Sequence, residues 1–161
     1  MKGSLIAGCV LSVLVASCGT PPDVRPSGAA GSNSLFAVTV QLTPEAERRL
    51  LELRETTVVI AYFEGQPRPS VEDRELNSEG IIELGSTRVE MDGAGTVRLG
   101  VIPLSPRQKV LLATEDYAVL VNVTSGRRTD EKNLLNCGSI LEKKNQLLGG
   151  HRTVVCSLIR E

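Results

Sequence analysis

From Leu35 the chain alternates with a period of two: Phe36, Val38, Val40 and Leu42 fall on one face, Ala37, Thr39 and Gln41 on the other. That alternation predicts a half-buried strand. Thr43-Pro44-Glu45 then supplies a helix start, with Thr43 suited to the N-cap, Pro44 to the first helical position, and Glu45 and Glu47 to the positive end of the dipole. Ala46, Leu50 and Leu53 recur at helical spacing while Arg48, Arg49 and Glu52 face water, so a short amphipathic helix is expected over 44–53. "TTVVIAYF" (56–63) is β-branched, aromatic and apolar on both faces, as in a central strand.

Residues 64–79 are polar, contain two prolines and read as an exposed loop. "GIIEL" (80–84), "STRVEM" (86–91) and "TVRLGV" (96–101) predict three more strands. The last two are expected to form a hairpin through "DGAG", because Asp-Gly supports positive φ. "PLSPRQKVLLATED" reads as irregular with at most one helical turn. "YAVLVNVT" (117–124) is another inner strand, with Tyr117, Val119, Val121 and Val123 on one face. "NLLNCG" and "RTVVCSLI" are the final strand candidates, and between them Ser139 and Glu142 stand at capping-box spacing with Gly149-Gly150 as a stop, predicting a short helix. Seven to eight short strands with one or two short helices predict a mainly β fold over 35–161. The expected architecture is a small β-sandwich, immunoglobulin-like or transthyretin-like.

The first residues follow a different pattern. Met1-Lys2 brings one positive charge, Leu5 to Val15 carries none, and Ala16, Ser17 and Cys18 follow. A basic start, an apolar middle and a small-residue end are the layout of a secretory signal over 1–17. The apolar run is shorter than the ~20 residues of a membrane-spanning helix. Val15-Ala16-Ser17-Cys18 resembles the lipobox of bacterial lipoproteins. The resemblance covers residues 1–18 and implies that Cys18 is lipidated and becomes the amino terminus, anchoring the protein to a membrane. Gly19 after the cysteine, in place of the aspartate that retains such proteins at the inner membrane, implies the outer membrane. Ile6-Ala7-Gly8-Cys9 fits the same motif locally but leaves too short an apolar segment before it, so Cys9 reads as part of the signal. Residues 19–34 are rich in Gly, Pro, Ser and Ala, with Val24 the only large apolar residue, and read as a tether with a span of roughly 20–25 Å.

Removing residues 1–17 leaves 144 of the 161 residues and, since Lys2 alone among charged side chains is lost, 17 basic against 19 acidic groups. One domain is expected at that size. Scattered charges and a balance slightly negative give no footprint for nucleic acid. The aromatic side chains are Phe36, Tyr62, Phe63 and Tyr117 alone, so the core must be aliphatic and stacking on bases or sugars has little material.

Cys137 and Cys156 remain once Cys9 is cleaved off and Cys18 lipidated. No Cys-x-x-Cys spacing or histidine cluster accompanies them, both lie in apolar strand candidates, and an exported chain permits a disulfide. Their loop of about 20 residues makes such a bridge worth roughly 3 kcal/mol. His151, the only histidine, follows two glycines and reads as a solvated turn residue, with no Gly-x-Ser-x-Gly to suggest a triad. "MDGAG" lacks the alternating acidic ligands of a calcium loop. Arg68, Glu72, Asp73, Arg74 and Glu75 form a charged cluster in the 64–79 loop, where binding residues often sit, and "SGRRTDEK" is a second such loop. No motif calls for a cofactor or metal.

These features point to a non-enzymatic, periplasm-facing lipoprotein of the outer membrane that offers loops or a strand edge to an envelope protein. An assembly factor such as a secretin pilotin is a more specific version, without a motif to single it out. The alternative is a small-molecule or cation-binding sensor that uses the acidic 64–79 loop.

Overall fold

The computed structural model describes residues 35–159; Cys9, Cys18 and the tether lie outside them. In chain order the elements are β1 (Leu35–Leu42), α1 (Pro44–Leu53), β2 (Thr57–Gly65), β3 (Ile82–Met91), β4 (Gly95–Gly100), α2 (Pro106–Leu111), β5 (Ala118–Ser125), β6 (Leu135–Cys137), β7 (Ile140–Lys143), α3 (Lys144–Leu147) and β8 (His151–Leu158). The strands form a small β-sandwich. Sheet A runs β4-β1-β8-β6 and sheet B runs β3-β2-β5-β7. Within sheet A, β1 pairs antiparallel with β4 and parallel with β8.

Alternation decides what each sheet buries. Phe36, Val38 and Val40 of β1, Val97 and Leu99 of β4, Leu135 of β6 and Val154 and Cys156 of β8 point inward from sheet A. Val59, Ala61 and Phe63 of β2 and Val119, Val121 and Val123 of β5 meet them from sheet B. The core is aliphatic apart from Phe36, Phe63 and Tyr117, the last two packed edge to face at 5.9 Å. Burial pushes the Tyr117 hydroxyl up to about 12, although it donates a 2.8 Å hydrogen bond to the Ile102 carbonyl.

Helix α1 forms as its sequence predicts. Thr43 accepts the Ala46 N–H, Pro44 opens the first turn, and Ala46 and Leu50 are buried. Helix α2 is a better-formed turn than its irregular sequence suggests, because the Ser105 hydroxyl accepts the Gln108 N–H while the Gln108 side chain accepts the Ser105 N–H.

Four expectations need correction. "GIIEL" and "STRVEM" belong to one strand, β3, broken in register at Gly85, whose φ of +136° suits glycine. The irregularity lets Ile82, Leu84 and Val89 all turn toward the core while Glu83 turns out. The "DGAG" segment does not close a hairpin: β3 pairs with β2 in sheet B and β4 with β1 in sheet A. Gly93 has φ of +63°, but Asp92 does not share it, so the paired positive-φ residues of a hairpin turn are missing and the chain crosses between sheets. Residues 139–150 are not one helix. Ile140–Lys143 is a strand on β5, with Ile140 turned to the core and Leu141 to solvent, and only Lys144–Leu147 is helical. His151 opens β8 rather than a turn, with Nε2 2.6 Å from the Thr39 hydroxyl, itself 2.6 Å from that of Thr96.

Candidate interaction surface

Cys137 and Cys156 face each other across the antiparallel β6–β8 pair and are joined by a disulfide, with Cα atoms 4.2 Å apart. The bridge ties a three-residue edge strand to the strand beside it.

The charged residues of the 64–79 loop do not converge. Arg68 donates through Nε to the Leu112 carbonyl at 2.7 Å, Arg74 pairs with Glu72 at 2.9 Å, and Glu75 takes the guanidinium of Arg107 on α2 at 2.8 and 2.9 Å. Asp73 opens an exposed 3-10 turn over Asp73–Glu75. Among the described residues no group of three or more His, Cys, Asp or Glu side chains is placed to hold a metal ion.

The second polar loop is held by a residue that its sequence did not single out. Glu55, only 5% exposed, accepts the N–H groups of Thr56 (2.9 Å), Arg128 (2.9 Å) and Thr129 (3.0 Å) and the Thr129 hydroxyl (3.2 Å). Burial alone would raise its pKa. The donors outweigh it and hold the carboxyl below its ordinary value. Glu90 alongside accepts the Thr56 hydroxyl at 2.5 Å and Arg128 Nε at 2.7 Å. The chain passes so close to Thr56 at Gly126 that a Cβ there would lie 1.9 Å from the Thr56 hydroxyl. These contacts fix the loop as part of the scaffold.

What the scaffold leaves open is the end of the outer face of sheet B around Tyr62 and Leu141, the Val58 end being covered. Because β2 and β5 carry their core residues at odd positions, Val58, Ile60, Tyr62 and Glu64 face outward on β2, and Ala118, Leu120, Asn122 and Thr124 on β5. The strand register sets out the face in rows. One row crosses the sheet as Ser86, Tyr62, Leu120 and Leu141, flanked by Arg88, Ile60 and Asn122 on one side and by Glu83, Glu64, Ala118 and Lys143 on the other. Val58 is 1% exposed, whereas Tyr62 is 38% and Leu141 65% exposed. A shallow hollow of about 250 Å³ lies at the acidic end, lined by Tyr62, Phe63, Glu64, Glu83, Gly85 and Ser86.

The acidic end is electrostatically uncomfortable. Glu64 and Glu83 are register partners in adjacent strands, and like charges in that relation repel. Burial, then repulsion from Glu79 and Glu83, pushes the Glu64 carboxyl above its ordinary value. The apolarity of "VIAY" on both faces was visible in the sequence but is equally the mark of a strand covered on both sides. Only the sheet order shows that nothing within the described residues stacks a further strand layer there.

Comparison of the chain with protein-family models, curated proteins and solved structures finds no significant match.

Proposed function

We propose that the protein is a lipid-anchored envelope module, held at the outer membrane by Cys18 and its tether, that works by docking protein rather than by catalysis. The observation that carries the docking reading is the outward-facing row Tyr62, Leu120 and Leu141 on sheet B, in which exposed Tyr62 and Leu141 flank a half-buried Leu120, since contiguous apolar surface marks interaction sites. Val15-Ala16-Ser17-Cys18 supports the anchor, and the Cys137–Cys156 bridge suits an oxidising compartment outside the cytoplasm.

Two measurements test this reading. Cys18→Ser should abolish incorporation of labelled palmitate and leave the precursor uncleaved, while Cys9→Ser should change neither; label retained in Cys18→Ser overturns the anchor. A photo-crosslinking residue placed at position 141 in the lipidated chain should capture protein in intact membranes. A residue of the same kind at exposed position 98, on sheet A, serves as the control. Equal capture from both positions overturns the docking face.

A further inference from the structure

We propose that the occupant of the outer face of sheet B is a second copy of this chain, packed face to face about a two-fold axis parallel to the strands. The inference rests on the docking reading above and names its partner. Such an axis keeps every row in place and reverses the order of the strands. Tyr62 of one copy then lies over Leu120 of the other, Ser86 over Leu141, and Glu83 over Lys143. A self-complementary patch is what two-fold symmetry demands.

Charge selects this occupant. The row Glu83, Glu64, Ala118, Lys143 holds two adjacent carboxylates at one end and a single ammonium at the other. Among the described residues neither Glu64 nor Lys143 has an ion-pair partner within its own chain. Reversal brings the ammonium of each copy to the acid pair of the other, beside the hollow that Tyr62, Glu64 and Glu83 line. An anionic membrane surface would meet the same two carboxylates and be repelled.

Size sets the strength. Four strands about 4.8 Å apart and five or six residues deep give a face on the order of 300–400 Å², below the ~800 Å² per partner of a standard interface. Association is therefore weak in dilute solution, and tethering both copies to one membrane raises their effective concentration.

The experiment uses the full lipidated chain in membranes, with the crosslinking residue at position 141 and yield read as the band of twice the chain's mass. Lys143→Glu, which sets acid against acid, should lower that yield at least about tenfold, because like charges juxtaposed in an interface oppose association. Adding Glu64→Lys and Glu83→Lys to it should restore the yield, a rescue that loss of folding cannot imitate. A Lys143→Glu chain that dimerises like the wild type, or a charge-reversed chain that stays monomeric with an unchanged melting temperature, overturns the proposal. Crosslinks only to a different protein overturn the second copy but leave the docking reading standing; no crosslinks at all overturn both.

Discussion

Glu55 is a charge almost out of reach of water, kept ionised by four donors of which three are backbone N–H groups. Its carboxyl titrates lower in the folded chain than in the unfolded one. The stability it provides is thus fully present above the unfolded value and is lost as pH falls through the lower, folded value. Glu55→Gln replaces an acceptor-only group by one that turns an amide toward N–H donors, and should cost about 1.5–3 kcal/mol in urea unfolding at pH 7. The gap from wild type should narrow in acid; a gap independent of pH would remove the charge from the explanation. Arg54 supplies a test of opposite sign. It ends α1 in left-handed backbone, φ 53° and ψ 37°, where a side chain costs about 1 kcal/mol that glycine does not incur. Arg54→Gly should accordingly raise the melting temperature by a few degrees. Neither Glu55 nor Arg54 is distinctive as a residue in sequence: a glutamate after a helix reads as solvated until the chain from 126 to 129 returns to meet it.

Elements marked by a local pattern of caps or alternation were legible, and which strand pairs with which was not. Helix α1 could be read because its cap, its proline and its buried pair lie within eight residues. Leu50 is 1% exposed, so Leu50→Asp should lower stability by about 2–5 kcal/mol, whereas Leu51→Asp, at a position 78% exposed, should fall within about 0.5 kcal/mol of wild type. Equal melting temperatures for the two would show that α1 is not packed on the sandwich. The turn after β3 is the opposite case. Asp92-Gly93 carries the letters of a hairpin, but pairing energy is collected by β4 on β1, and no short window of sequence contains that partner. For the same reason 140–143 looked helical, although β5 was waiting for a fourth strand.

At the scale of the molecule, the sandwich and the Cys137–Cys156 pairing followed from alternation and cysteine placement, while the open face did not; the strand total agreed only because the merging of 80–84 with 86–91 offset the unexpected strand at 140–143. A sequence window tells that "VIAY" is apolar twice over and cannot tell which of its faces lacks a cover. The disulfide closes the end of sheet A, and Cys137→Ser with Cys156→Ala should cost about 3 kcal/mol, with urea curves that no longer respond to reductant. An unchanged midpoint would mean that the three pairs of β6 with β8 hold that edge unaided. The parallel pairing of β1 with β8 reaches further. Ala37 and His151 are register partners although more than 100 positions separate them, so the central pair of sheet A cannot close until nearly the whole domain is available. Contacts of such separation slow folding. A chain emerging from its amino end could give β1 only one of its two neighbours, β4, and would hold sheet A split down its middle until β8, the last strand, arrived.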